Sequence, residues 1–335
     1  MSIALTLPRK WMLFILSFII VLQTKAMTEP NSKIFSLLNG LPYTEIPFRL
    51  INDLIIVPVN INGEKDLNFL VDTGTNSPVI LHERYVKDLE LHLGRKIHFQ
   101  GAGRGKAVEG TVISCISIQV GDAYAKQMGA VVLQNNPLAR LKLKGTTIHG
   151  IIGASLFRSF AVEIDYLTQV IRLHEGSGFL EENTFSPHPM QVVMSRPIVR
   201  SEARWNDEIH MLNLMIDTGF NHHLLIYDNT SIEESSPKFE RLGFGYSGSI
   251  TGSSSNLPML KLGKRKLFKV NTFFPTFKAY KADEATISYR DGIIGNALLK
   301  QFCVVLDYAH NTFYIREHLG WSPMLVKDEA RQEQL

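Results

Sequence analysis

Phe69-Leu70-Val71-Asp72-Thr73-Gly74 and Leu214-Met215-Ile216-Asp217-Thr218-Gly219 are the two stretches on which the reading of this chain turns: in each, apolar residues run directly onto Asp-Thr-Gly. One such triplet alone is most simply a turn after a strand, since glycine and short polar side chains are what a tight turn needs. Two copies 145 residues apart, each inside the same wider pattern, carry more. They can bring two carboxylates face to face across a pseudo-twofold axis.

The wider pattern lies downstream. Gly150-Ile-Ile-Gly153-Ala-Ser-Leu-Phe-Arg-Ser-Phe160-Ala-Val-Glu-Ile-Asp165-Tyr166 comes after the first triplet, and Gly292-Ile-Ile-Gly295-Asn-Ala-Leu-Leu-Lys-Gln-Phe302-Cys-Val-Val-Leu-Asp307-Tyr308 after the second. Over the 24 positions from Gly150 and Gly292, nine are identical, against roughly one or two for unrelated segments of ordinary composition. The triplets precede their Gly-Ile-Ile-Gly segments by 78 and 75 residues, so the whole unit repeats. A repeat this long, present twice, reads as paired lobes rather than a solenoid.

With 335 residues, 45% of them hydrophobic and 20% charged, the chain has enough material for two globular lobes, each with a core. Arg9 and Lys10, the apolar run Trp11 to Leu22 and the small-residue site Thr24-Lys25-Ala26 read as an export signal over 1–26; a run of twelve residues falls short of the ~20 that span a bilayer. The expected location is periplasmic or secreted, with a membrane attachment only if that segment stays uncleaved. The formal charge of +3 belongs to Arg9, Lys10 and Lys25 and vanishes with them, leaving no basic stripe for a phosphate backbone. Nucleic acid is therefore not an expected partner. Each half holds one cysteine, so Cys115 and Cys303 form either an inter-lobe bridge or two free thiols; Cys303, inside the apolar run Phe302 to Leu306, reads as a buried thiol.

Strands dominate the chain beyond the signal. Pro47 to Leu50, Leu54 to Ile61 and Leu67 to Val71 are rich in branched apolar residues, with the hairpin signal Asn62-Gly63 among them. Residues 27–45 read as a linker or short propeptide, 46–175 as the first lobe, 176–189 as a Gly- and Pro-containing linker, 190–316 as the second lobe and 317–335 as a charged tail. Short helices are expected over 83–92, around 138–142, and at 154–157 and 296–300.

Peptide hydrolysis without a metal or covalent intermediate requires a base to activate water and an acid for the leaving nitrogen. Two adjacent carboxylates sharing one proton provide both, because like charges in contact cannot both ionise cheaply. Asp72 and Asp217 are the candidates. No His-Glu-x-x-His, Gly-x-Ser-x-Gly or Cys-x-x-Cys occurs, so neither zinc nor a serine nucleophile is indicated and no cofactor is expected.

The phrases Asp72-Thr-Gly-Thr-Asn76 and Gly292-Ile-Ile-Gly-Asn-Ala-Leu-Leu299 resemble those of the retropepsin and pepsin group, most closely the retropepsin-like aspartyl proteases of bacteria, over roughly residues 50 to 316. The resemblance implies an all-β fold of two homologous β-barrel lobes with short helices and an active-site cleft between them, and an aspartic endopeptidase acting on extended peptide or protein substrate as a monomeric pseudo-dimer. It implies that Thr73 and Thr218 interlock the two loops, that Gly74 and Gly219 permit close approach to the carboxylates, and that Thr75 donates to the outer oxygen of Asp72. It also places Ile151-Ile152-Gly153 and Ile293-Ile294-Gly295 behind the loops as supports, and Asn76 and Asn221 against the substrate backbone. Gly101 and Gly103 in the first lobe, and Gly245 and Gly248 in the second, would belong to flaps over the cleft; a phosphate loop at 101–105 is excluded by the strand-like run after it.

Phe220 departs from the group, which carries a small or hydroxylated residue there. An apolar neighbour would favour Asp217 as the protonated partner. It also motivates an alternative, a catalytically degenerate fold that binds peptides without cutting them; a weaker one is a single active lobe working as a homodimer. His222 and His223 are adjacent and point apart on a strand, which disfavours a shared metal.

Overall fold

The computed structural model describes residues 33–87, 89, 91–99, 107–134, 142–176, 184–227, 240–245, 248–275 and 289–318. Within these, the chain is built almost wholly of strands. The first half contains β1 (Ser36–Leu37), β2 (Tyr43–Pro47), β3 (Arg49–Ile51), β4 (Leu54–Ile61), β5 (Glu64–Val71), β6 (Val79–Ile80), β7 (His92–Phe99), β8 (Val108–Val120), β9 (Ala123–Gln134), β10 (Lys142–Leu143), β11 (Thr146–Thr147), β12 (Gly150–Ile152), β13 (Ala161–Asp165) and β14 (Val170–His174). The second contains β15 (Ser186–Val193), β16 (Arg196–Trp205), β17 (Glu208–Asp217), β18 (Leu224–Ile226), β19 (Glu240–Gly245), β20 (Gly248–Leu262), β21 (Arg265–Pro275), β22 (Gly292–Gly295), β23 (Phe302–Asp307) and β24 (Thr312–Glu317). Among the described residues one four-residue helix stands in each half, α1 (Ala154–Phe157) and α2 (Asn296–Leu299).

Local chemistry sets the hairpins. Asn62 and Gly63 both take positive φ, 48° and 95°, the conformation a two-residue turn between twisted antiparallel strands requires, and they join β4 to β5. Asn206 and Asp207, at 50° and 59°, do the same between β16 and β17. The strands then close on themselves. In the first lobe the pairings run β9-β6-β12-β5-β4-β8 and return to β9; in the second they run β21-β18-β22-β17-β16-β20 and return to β21. These are two barrels of the same connectivity, so the all-β, two-barrel architecture anticipated from the sequence is the one observed. Closure also leaves no free edge around either ring.

A sheet beneath the barrels joins them. Its order is β15-β24-β23-β13-β14-β2, three strands from each half, and the central pair β13–β23 aligns Glu163 with Val305. Those two residues are each other's counterparts in the repeat, so the pseudo-twofold axis passes between them. Both β13 and β23 are buried throughout; β23 accordingly reads as a near-continuous apolar run, whereas in β13 the buried acids Glu163 and Asp165 interrupt it. Two further contacts obey the same symmetry: Lys300 pairs with Asp53 at 2.7 Å, and Arg158 donates to Ser195 Oγ at 3.2 Å.

Several boundaries differ from those read in the sequence. Residues 33–45, assigned to a linker, are part of the first lobe: Phe35 is fully buried, its amide donates to Ser159 Oγ, and Tyr43 to Pro47 pair with β14. Strand β15 starts at Ser186, inside the expected inter-lobe linker; Pro187 and Pro189 point their nitrogens the same way on alternate residues, which an antiparallel ladder tolerates. The helix expected over 83–92 is a single 3-10 turn, Glu83–Tyr85, capped by His82. Beyond it, pairing of β7 with β8 overrides local propensity. The expected helix around 138–142 falls mostly outside the described residues, though Lys142–Leu143 is strand. Among the described residues no helix is long and apolar enough to cross a membrane. The 1–26 segment lies outside the described residues, as does the tail after His318.

Candidate active site

Each Asp-Thr-Gly emerges at the end of a barrel strand that lies parallel to the first segment of its Gly-Ile-Ile-Gly. Val71 aligns with Ile152 and the Asp72 amide donates to the Ile152 carbonyl at 2.9 Å; Ile216 aligns with Ile294 and Asp217 with Gly295. Both loops therefore leave the two barrels at the same level and meet at the seam.

The threonines lock them together. The Thr73 amide donates to Thr218 Oγ1 and the Thr218 amide to Thr73 Oγ1, both at 3.1 Å; each hydroxyl then donates to a carbonyl of the opposite strand, Thr73 to Ile216 at 2.7 Å and Thr218 to Val71 at 2.9 Å. Both amides and both hydroxyls of the pair find their partners across the seam, so neither loop can shift alone. Asp72 and Asp217 are both 0% exposed, and their carboxyls are in hydrogen-bond contact. The Gly74 amide donates to Asp72 Oδ1 and the Gly219 amide to Asp217 Oδ1, each at 2.8 Å. A Cβ on Gly219 would lie 2.5 Å from Asp72 Cγ, which is why that position has no side chain.

Here the two sides part. Thr75 Oγ1 donates to Asp72 Oδ2 at 2.8 Å. Its counterpart Phe220 is fully buried among Ile198, Met215, Leu225, Ile250, Phe273 and Ile293 and offers no hydroxyl to Asp217. Burial, then the charge of Asp217, hold the Asp72 carboxyl well above the usual range, against the lowering effect of the Thr75 and Gly74 hydrogen bonds. The pair therefore retains a proton, burial and the second carboxylate together outweighing the Thr75 hydroxyl and the Gly74 amide at Asp72.

The glycines of Gly-Ile-Ile-Gly are spacers behind this machinery. A Cβ on Gly153 would stand 1.9 Å from the Asp72 carbonyl oxygen and 2.5 Å from that of Thr75. Gly153→Ala should therefore push the Asp72 loop off the seam, lowering stability by about 3 kcal/mol and any activity by about 100-fold. Urea unfolding and cleavage assays on the same preparation would measure both.

Asn76 is half-buried and Asn221 buried, and the amide oxygen of each has no hydrogen-bond partner. Gly245 and Gly248 face each other at the end of the β19–β20 hairpin, whereas Gly101 and Gly103 lie outside the described residues. His222 packs against Phe220 and Phe273, and burial depresses its pKa to about 3, so it stays neutral. No cluster of three or more metal-binding side chains occurs among the described residues. Both cysteines are free, Cys115 exposed and Cys303 buried; burial first, then the charge of Glu163, pushes the Cys303 thiol up to about 12.

Two residues not singled out in the sequence also shape the site. Asn296 Nδ2 donates to the Thr218 carbonyl at 2.6 Å, and Tyr166 donates its hydroxyl to Asn296 Oδ1 at 2.7 Å. Alignment of the repeats pairs Asn296 with Ala154, and that mismatch at an otherwise shared position is the signal that could have found it.

Over residues 57–156 the sequence matches the family model of aspartyl proteases. No curated protein matches it. Among solved structures it is similar to basic 7S globulin from soybean, at 11% identity and a TM-score of 0.49, covering 82% of this chain and 95% of that one. The segment that matches, 57–156, carries the first Asp-Thr-Gly and its Gly-Ile-Ile-Gly, and the second pair stands in the matching place of a second barrel.

Proposed function

We propose that the protein is an aspartic endopeptidase in which Asp72 and Asp217 activate one water molecule. The observation that carries this reading is the contact of two fully buried carboxyls on loops that hydrogen bonds hold from both sides. One proton shared by such a pair leaves one carboxylate as base and one carboxylic acid as donor. The base takes a proton from water as its oxygen attacks the scissile carbonyl carbon, and the acid donates to the carbonyl oxygen. The resulting tetrahedral diol collapses when the carboxyl that took the water proton gives it to the departing amide nitrogen while the other takes a proton from a diol hydroxyl as the C–N bond breaks, returning the pair to its starting protonation. Neither metal nor cofactor enters these steps.

Substrate would lie extended along the seam, with main-chain hydrogen bonds giving affinity and side-chain pockets giving preference. The unpartnered amide oxygens of Asn76 and Asn221 suit the backbone N–H groups of such a strand. Export to the periplasm or exterior, from the 1–26 segment, belongs to the same reading.

The test is incubation of the purified protein with an unfolded protein and a peptide library across roughly pH 3 to 7, bracketing the range in which a raised carboxyl titrates, with cleavage sites located by mass spectrometry and pepstatin as a parallel arm. Cleavage within chains is expected. Folded protein that binds peptides and leaves them intact at every pH would replace this reading with the peptide-binding alternative that Phe220 suggests.

A further inference from the structure

Arg196 is 0% exposed, and none of its three guanidinium nitrogens has a hydrogen-bond partner. A guanidinium cannot discard its proton, and a buried charge without compensation is costly. Some negative charge close by must therefore offset it.

Two observations identify that charge. The β16–β17 ladder pairs Ile198 with Met215, so Arg196, two residues further along its strand, comes level with Asp217. Cross-strand partners project to the same face. The second observation is Tyr308, whose hydroxyl is buried and without a partner. The charges of Arg196, Arg158, Asp217 and Asp72 all act on that hydroxyl, which puts the four within electrostatic reach of one point.

The pseudo-symmetry shows that this is a departure on one side only. The first lobe pairs Ile56 with Leu70, and the residue level with Asp72 is Leu54, buried in an apolar cluster with both. On that side Tyr166 meets the Asn296 amide; on the other, Ala154 replaces the amide and Arg196 replaces the leucine. Two otherwise matched aspartates are thus backed by different chemistry.

We propose that Arg196 is a positioning residue for the dyad: its guanidinium keeps Asp217 ionised and leaves the shared proton on Asp72, so that Asp217 is the base toward water and Asp72 the acid toward the carbonyl. The catalytic consequence rests on the endopeptidase reading, whereas the effect on the carboxyls does not. An opposite charge favours the ionised form of a carboxyl, so the guanidinium extends the singly protonated state to lower pH. Around the seam, burial lowers the pKa of His222 to about 3 and also lowers that of His223, Arg158 donates to Ser195 Oγ, the Arg290 guanidinium is turned to Met215 Sδ and the Tyr227 ring, and Lys300 is engaged by Asp53.

The experiment compares the full-length protein with Arg196→Leu, which installs the residue of the mirrored position, Arg196→Met, which keeps the length of the stem if leucine does not fold, and Arg196→Lys. Two readouts are taken: the pH dependence of kcat/KM on a cleaved peptide, and titration of the two carboxyls by 13Cγ NMR of labelled aspartate. Leu or Met should move the acidic limb up by about one pH unit, giving roughly a tenfold loss at the acidic end with little change in KM, and Lys should restore the profile. A folded Leu or Met variant whose acidic limb and carboxyl titration coincide with the parent's would overturn the proposal while leaving the hydrolase reading intact. A protein that cuts nothing yet shows the carboxyl shift would do the reverse.

Discussion

Replacing either Asp72 or Asp217 with asparagine, one at a time, should abolish peptide cleavage, with losses of about 10⁴-fold, the upper part of the range for removing a general acid or base. Asparagine preserves shape and the hydrogen bonds accepted from Gly74 or Gly219, so the folded structure should persist. Neither change should be rescued by the other carboxyl, because the mechanism requires an acid and a base at once. Both variants should also be more stable than the parent near neutral pH, since burying two adjacent carboxyls carries a penalty that an amide relieves. Kinetics and thermal unfolding on each variant check the two halves of this expectation. Undiminished cleavage in Asp217→Asn would remove the second lobe from the chemistry and return the single-lobe homodimer to consideration.

Glu163→Gln should cause the largest stability loss away from the seam. This carboxylate sits on the pseudo-twofold axis of the joining sheet, nearly fully buried. It meets Arg172 Nη1 and His174 Nε2 at 3.0 Å, and Arg316 Nη2 at 3.5 Å, while accepting from the Cys303 thiol. Removing one member of a buried charge network costs about 3 kcal/mol or more, because the remaining cations lose their compensation. Burial alone would raise the Glu163 pKa, but the His174 hydrogen bond and the Arg172 charge overcome it, and the net shift is downward. A carboxyl whose folded pKa lies below its unfolded one adds stability above roughly pH 4.5 and loses it as the pH falls through the folded value. Urea unfolding should therefore separate parent and variant at pH 7, and the gap should close as the solution is acidified. A gap that persists unchanged in acid would show that packing, not charge, is what Glu163 contributes.

Much of this arrangement is visible in the sequence because duplication writes it twice. The paired Asp-Thr-Gly and Gly-Ile-Ile-Gly segments reveal barrel strands, loops and axis together, since apolar runs ending in a glycine-bearing turn have few other uses. Asn62-Gly63 announces its hairpin by the same local logic. What escapes is decided by contacts between distant residues. Tyr43 to Glu45 look like linker because a strand lying at a sheet edge, with β14 as its neighbour, needs no long apolar run. How the pair holds its proton is not legible from Phe220 alone: one neighbour can be read from the chain, but the summed field of Asp217, Thr75 and Gly74 at Asp72 requires their positions. Arg196 and Asn296 stand out only once the halves are aligned and the places where they disagree are compared, with Leu54 and Ala154 opposite.

The joining sheet also bears on biosynthesis. Strand β13 ends at Asp165, and its partner β23 ends at Asp307, 142 residues later. At the ribosome's pace of roughly 5–20 residues per second, the first barrel waits on the order of ten seconds for that partner. Meanwhile it presents a bare strand edge, the template on which a second nascent copy could add. Swapped dimers and a need for chaperone shielding are therefore the failure modes expected of this chain, and a first lobe expressed alone should self-associate through β13 rather than remain a soluble monomer.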